Sequence, residues 1–302
     1  MGKVLIIACT NVGRAIIDAI SCENKLQGID LVGVINLKPE IATEKANYDA
    51  YTDLIKKYNL NMYYCENVNE PECINFIRTC NPDIIIQSGW SQKFNQELLN
   101  IPKYGCIGEH PAPLPRGRGA ACVNWAILTG EKNWGDTFFK MEMEYDTGEI
   151  LAQELFNIEE YDDVKTIYDK VAFCARRSVV DNLENWTRGV FNSIKQNDSL
   201  ATHYPRRKPS DGEFSFNNKN SSELYDFIRA QAKPYPGAFF IGTINEKKHR
   251  IIVWKASLGE KSTNSVSFQC KDGKCINLLR VQMDGLPEMW AKDLFELYDI
   301  VV

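Results

Sequence analysis

Histidine is scarce in this chain. Only three occur in 302 residues, at positions 110, 203 and 249, so imidazole chemistry has three possible seats. There is no uninterrupted apolar run long enough to cross a bilayer. The opening Met1-Gly2-Lys3-Val4-Leu5-Ile6-Ile7 is too short for a signal peptide and lacks a small-residue cleavage site. It reads as a first strand, and a cytoplasmic protein with no membrane partner is expected. Basic residues are in deficit, 35 against 40 acids for a formal charge of −5. That balance weakens any function needing a broad phosphate-gripping surface, and no nucleic-acid partner is expected. The loop after the first strand lacks GxGxxG, so no dinucleotide site follows. CxxC is also missing, and the ten cysteines are scattered, mostly inside apolar runs, as buried reduced thiols would be. Cys270 and Cys275 could close a disulfide or hold a metal. The Asp272-Gly273 between them reads more simply as a hairpin turn, and with no second ligand pair no metal site is expected.

What is present is ordinary globular material, 44% hydrophobic and 25% charged. A chain of this length suggests one large domain and a smaller one. Residues 4–8, 31–37, 62–65, 83–87 and 106–110 are short runs that read as buried strands. Amphipathic or polar stretches at 46–58, 71–79 and 92–99, and one through Ile16, Ile17 and Ile20, read as helices between them. Apolar strands alternating with helices imply a mostly parallel sheet covered on both faces. A helix at 123–130, strands at 137–141 and 150–156, and a long helix over 162–186 continue the pattern. Residues 193–209 read as a linker. Beyond it, a helix at 221–230 and strands at 238–244, 250–256, 265–269 and 276–283 suggest a small β-rich domain, giving expected domains of 1–203 and 204–302.

One histidine sits in a stiff frame: Gly108-Glu109-His110-Pro111-Ala112-Pro113-Leu114-Pro115-Arg116-Gly117-Arg118-Gly119. The alternating prolines stiffen the segment and bias residue 110 toward extended geometry. His110 closes a strand, and open α/β sheets bind ligands beyond the carboxyl ends of their strands. Asp146-Thr147-Gly148 follows 36 positions later. Arg116-Gly117-Arg118-Gly119 pairs guanidinium groups with glycines that admit close backbone approach, a combination suited to a diphosphate.

These residues, with Asn124-Trp125-Ala126-Ile127, Gly130-Glu131 and the downstream Arg206-Arg207, Ile228-Arg229-Ala230, Pro234-Tyr235-Pro236-Gly237-Ala238-Phe239 and Val253-Trp254, resemble the folate-dependent formyltransferases over nearly the whole chain. Asn124-Trp125 and the Pro-Tyr-Pro-Gly-Ala-Phe segment look most like the members acting on UDP- or dTDP-linked amino sugars in bacterial surface-glycan pathways. Methionyl-tRNA formyltransferase has a similar layout. The resemblance implies an α/β, Rossmann-like sheet, an OB-like C-terminal domain and 10-formyltetrahydrofolate as co-substrate. It also implies His110 as acid/base and oxyanion partner with Asp146 steadying it. Ser88, Gly89, Trp90, Ser91 and Gln92 would hold the pterin, with Met143, Glu144 and Tyr145 as the opposite wall. Thr10, Asn11, Pro111, Arg116, Gly117, Arg118 and Gly119 would meet the nucleotide-linked amino sugar. A homodimer is possible, since the strand-rich C-terminal part offers edges.

One departure matters. The family usually has asparagine two residues before the histidine, where it steadies the oxyanion, and this chain has Gly108. Asn124, Asn11 or a backbone N–H could substitute, whereas Glu109 points away by strand alternation and would repel an oxyanion unless protonated. A transferase and a non-catalytic binder of folate or nucleotide sugar both fit this pattern, and retention of His110 and Asp146 favours the transferase.

Overall fold

The short apolar runs become strands of a seven-stranded sheet whose central members are buried on both faces, while its edges are partly exposed. A computed structural model describes residues 1–42 and 45–302. The strands and helices in chain order are β1 (Gly2–Ala8), α1 (Asn11–Cys22), β2 (Ile29–Leu37), α2 (Thr52–Tyr58), β3 (Met62–Cys65), α3 (Pro71–Cys80), β4 (Ile84–Ser88), α4 (Gln96–Leu99), β5 (Cys106–His110), β6 (Arg118–Gly119), α5 (Cys122–Leu128), β7 (Asn133–Lys140), β8 (Ile150–Asn157), α6 (Val164–Trp186), β9 (His203–Tyr204), α7 (Ser221–Arg229), β10 (Ala238–Ile244), β11 (Lys247–Ser257), β12 (Val266–Gln269), β13 (Cys275–Met283), β14 (Met289–Trp290) and α8 (Ala291–Leu297). The large sheet runs β3-β2-β1-β4-β5-β7-β8. The first five strands pair in parallel, and β7 and β8 close the edge antiparallel. This is the mostly parallel α/β sheet that the alternating pattern implied. No helix among the described residues is long and apolar enough to cross a membrane.

The chain divides into two compact units. The first comprises Met1–Cys122, Asn133–Asn157 and Tyr168–Tyr204, and the second Val123–Lys132, Ile158–Ile167 and Pro205–Val302. One core cluster of the first unit contains Leu5, Ile7, Ile35, Ile74, Ile77 and Ile85 together with Cys9, Cys65, Cys73, Cys80 and Cys106. All ten cysteines are free, and eight of them are buried. The second unit holds an antiparallel sheet in the order β10-β11-β13-β12, with β14 on β13. Its core includes Phe214, Phe216, Phe227 and Phe240, in a set of edge-on ring contacts. The Asp272-Gly273 turn joins β12 to β13 with Gln269 opposite Cys275, and Gly273 has φ +76.

Three elements differ from the sequence pattern. The helix expected over 46–58 begins only at Thr52. Asn47 and Tyr51 adopt left-handed backbone (φ 63 and 57), and Tyr48 bridges to Thr10, so residues 46–51 fold back over the first loop. The helix expected over 92–99 shrinks to Gln96–Leu99, because Asn95 caps it by accepting from the Leu98 N–H at 2.8 Å. The stretch read as a linker contains β9, which pairs with β6. Tyr51 is the residue that ties the first loop down. It is fully buried, and its hydroxyl donates to the Thr10 carbonyl at 2.8 Å. Tyr51→Phe removes that bond and is expected to lower stability by about 1 kcal/mol in chemical denaturation. An unchanged midpoint would show that the loop is held by other contacts.

Candidate active site

The site grows from the carboxyl end of β5. His110 is buried, and its ring is approached from two sides by acceptors. Nε2 lies 2.7 Å from the Gly117 carbonyl, and Nδ1 lies 3.8 Å from Asp146 Oδ1. The first contact requires a proton on Nε2. The carboxylate facing Nδ1 favours a second proton there, so the doubly protonated imidazolium suits both partners. Burial alone would drive the charge off the ring. The neighbouring Cys122 sulfur, the Asp146 carboxylate and the Gly117 carbonyl outweigh it, and the His110 pKa is pushed up to about 10.

Each partner is itself held. Gly117 turns its carbonyl toward the ring from a left-handed conformation (φ +80), and its N–H donates to Thr202 Oγ1 at 2.8 Å. Asp146 stands at φ 57 and accepts from the Gly119 N–H at 2.8 Å, while its carbonyl accepts from Gln196 Nε2 at 2.9 Å. The proline frame is fixed by Trp134, which donates to the Pro111 carbonyl at 2.8 Å, and by Thr137, which donates to the Ala112 carbonyl at 2.6 Å. Cys122 also donates to the Pro111 carbonyl, at 3.3 Å.

The other expected residues divide by what they touch. Arg116 is exposed. Arg118, expected to grip phosphate, is instead buried, and its guanidinium donates to Gln196 at 2.8 Å and Asp198 at 2.6 Å. It braces the 196–204 segment. Ser88 and Gly89 sit at the carboxyl end of β4, with Gly89 at φ +62, and an added Cβ there would meet the Thr10 side chain at 2.4 Å. The Trp90 ring packs into the core, while its carbonyl accepts from Gln87 at 3.0 Å. Ser91 is exposed, and Gln92 bridges to the Val68 N–H and the Glu66 carbonyl. Met143, Glu144 and Tyr145 are exposed, with Lys93 over the Tyr145 ring. Thr10 is nearly buried, and Asn11 Oδ1 accepts from Asn47. Asn124 lies in the second unit, where its amide donates to the Ala230 carbonyl at 2.6 Å.

Gly108 is glycine for a spatial reason. A Cβ built there would lie 2.6 Å from the Phe139 ring and 3.2 Å from Met141. An asparagine at this position would have to displace Phe139 from the space it fills.

Sequence reasoning missed Gln196, Asp198 and Thr202, which lie in the presumed linker and carry no periodic signal. It also missed a buried acid pair behind the histidine strand. Glu109 and Asp136 are both buried, and Glu109 accepts from Ser88 Oγ at 2.5 Å. Its other oxygen and both Asp136 oxygens have no donor beyond one another. Burial pushes both carboxyl groups up, Asp136 the further, and the pair keeps a shared proton. Such a pair is held in its favourable form below the unfolded carboxyl pKa of about 4, and its contribution is lost as pH rises, because the unfolded chain releases the proton that the folded one retains. Glu109→Gln supplies an amide donor that does not titrate. The difference in Tm between variant and wild type should therefore move in the variant's favour from about pH 5 to about pH 8. A difference constant with pH would contradict the shared proton.

Comparison with known proteins bears on what this arrangement serves. The formyl transferase family model matches residues 3–183. The chain is similar to the bifunctional polymyxin resistance protein ArnA of Wigglesworthia glossinidia brevipalpis, 30% identical over 260 residues, covering 86% of this chain and 38% of that protein. It is also similar to the methionyl-tRNA formyltransferase of Caldanaerobacter subterraneus subsp. tengcongensis, 28% identical over 281 residues, 88% of this chain and 89% of that protein. Among solved structures, HypX from Aquifex aeolicus in complex with tetrahydrofolic acid has a TM-score of 0.66 at 17% identity, over 97% of this chain and 46% of that one. The N-formyltransferase from Helicobacter canadensis, in complex with folinic acid and dTDP-3-aminofucose, has a TM-score of 0.63 at 17% identity, over 92% of this chain and 99% of that one. The chain thus spans well under half of ArnA, about half of HypX and nearly all of the other two.

Proposed function

Because this chain belongs to the folate-dependent formyltransferase family, whose co-substrate is 10-formyltetrahydrofolate, we propose that it formylates the amine of a UDP- or dTDP-linked amino deoxysugar for bacterial surface glycans. The observation that carries the reading is His110 with its two ring nitrogens turned to Gly117 and Asp146 at the carboxyl end of β5. Support for a nucleotide-sugar acceptor comes from the likeness to the Helicobacter canadensis structure with dTDP-3-aminofucose and from the formal charge of −5, which disfavours a transfer-RNA grip.

In this proposal His110 works as a cation. Nε2 is anchored on the Gly117 carbonyl, and Nδ1–H, 3.8 Å from Asp146, is too far for a direct hydrogen bond and remains to be offered to a reactant. When the acceptor amine adds to the formyl carbon, the imidazolium charge stabilises the oxyanion. As the carbon–nitrogen bond to folate breaks, His110 gives a proton to the leaving nitrogen and then recovers one from the amine, so the protons balance. A charged ring compensates for the amide that Gly108 cannot carry. Ser88, Gly89, Trp90, Ser91 and Gln92 would bind the folate, with Met143, Glu144 and Tyr145 as the opposite wall that the family resemblance implies. Exposed Arg116, with Gly117, Gly119, Pro111, Thr10 and Asn11, would bind the nucleotide sugar.

The test is a product assay with 10-formyltetrahydrofolate and a panel of UDP- and dTDP-amino sugars, read by mass spectrometry, with methionyl-tRNA as a separate arm. A formylated amino sugar is expected. His110→Ala should lower kcat by about 10²- to 10⁴-fold, and Asp146→Asn should lower kcat in the same direction. Formylation of methionyl-tRNA alone would replace the acceptor. Binding without product beside an active control would make the chain a binder.

A further inference from the structure

The second unit carries a cavity that formyl transfer does not use. It has a volume of about 470 Å³ and is lined by Lys255 on β11, Leu279 and Arg280 on β13, Trp290 on β14, and the Ser262-Thr263-Asn264 loop. The volume lies within the range of small-molecule sites. We propose that it is a binding site for a nucleoside diphosphate, separate from the formyl-transfer site.

Three observations converge on that ligand. The first is a cation aimed by the backbone. The register of β11 against β13 slips twice, between Val253 and Lys255 and again between Lys255 and Ala256, so irregularities flank Lys255 on both sides. Irregularities of this kind re-aim a side chain and accumulate beside functional sites. Lys255 is exposed and makes no ion pair among the described residues.

The second is an aromatic platform. Trp290 is 41% exposed, and the Arg280 guanidinium lies over its ring at 4.8 Å from the centroid. The guanidinium covers one face of the indole, and a nucleobase would stack on its exposed remainder.

The third is local charge. Arg280 donates to Glu288 at 2.8 Å, and Glu288 is shared with Lys233 at 2.5 Å. One carboxylate therefore answers two cations, and Lys255 is a third cation that makes no ion pair among the described residues. Cations bordered by acids on a chain of net charge −5 suit an anion of limited size. The phosphates would meet Lys255 and the hydroxyl and amide groups of Ser262, Thr263 and Asn264. Those residues are held in place, since Ser265 Oγ donates to the Ser262 carbonyl at 2.8 Å and the Lys292 N–H donates to the Asn264 carbonyl. Asp293 follows Lys292 directly and Glu296 lies one helical turn on, which breaks any basic track a nucleic-acid strand would need.

The test uses the full chain, 15N-labelled at its six tryptophans, with UDP as titrant. Trp290→Phe identifies the indole signal. That signal is expected to move saturably with UDP, and inorganic pyrophosphate should compete. Lys255→Met should raise the apparent Kd read at Trp290 by tenfold or more, with the other indole signals showing an intact fold. The same shift should persist in Arg116→Ala, which separates this site from the one proposed for formyl transfer. No shift at millimolar UDP, a shift insensitive to Lys255→Met, or loss of the shift in Arg116→Ala would each overturn the proposal. A short oligonucleotide binding more tightly than UDP would overturn it in favour of nucleic acid.

Discussion

The site depends on one imidazole clasped between two acceptors. A buried histidine ordinarily loses its charge, because low dielectric penalises the ion. Here the Cys122 sulfur, the Asp146 carboxylate and the Gly117 carbonyl together reverse that outcome. Much of the surrounding structure serves the clasp. β6 and β9 pair, Thr202 holds Gly117, Gly119 and Gln196 hold Asp146, and Trp134 and Thr137 hold the proline frame. Residues far apart in sequence thus converge on two heteroatoms, and the charge on His110 follows first from the Cys122 and Asp146 side chains and then from the Gly117 carbonyl.

In the proposed reaction the charge on His110 would also answer the loss of an amide at position 108. The Phe139 ring occupies the space where a side chain would project from Gly108, so the departure belongs to the packing of β5 against β7. Asn11 and Asn124 are each engaged elsewhere, with Asn47 and with the Ala230 carbonyl. Behind the same strand, Glu109 and Asp136 share a proton, which places partial negative charge in the first unit close to the imidazolium. Position 108 is stripped of a polar donor while position 109 carries an acid into the interior, so two adjacent residues set the electrostatics of the third.

Much of the fold was legible because parallel strands buried on both faces are apolar throughout and short. Residues such as Ile84, Ile85 and Ile86 leave little choice. The failures have local causes. A left-handed Tyr51, driven by its bond to Thr10, cuts short a helix whose composition was acceptable. An asparagine cap at 95 restarts one late. His110 and Asp146 could be named from the proline frame and the Asp-Thr-Gly turn. Gln196, Asp198 and Thr202 could not, because single polar residues in an irregular segment have no period and reveal themselves only when the chain returns. The diversion of Arg118 to Gln196 and Asp198 was hidden for the same reason. The acid pair was not visible, since alternation said only that Glu109 points away from His110 and nothing local linked it to Asp136.

The most direct test of the charged clasp is an NMR titration of the ring nitrogens of His110 in selectively 15N-histidine-labelled protein, run with wild type and with Asp146→Asn. The account predicts both nitrogens protonated at neutral pH, with deprotonation only well above pH 8, and a fall in that pKa when the carboxylate becomes an amide. A neutral ring at pH 7 that titrates near 6.5 and ignores the substitution would contradict it.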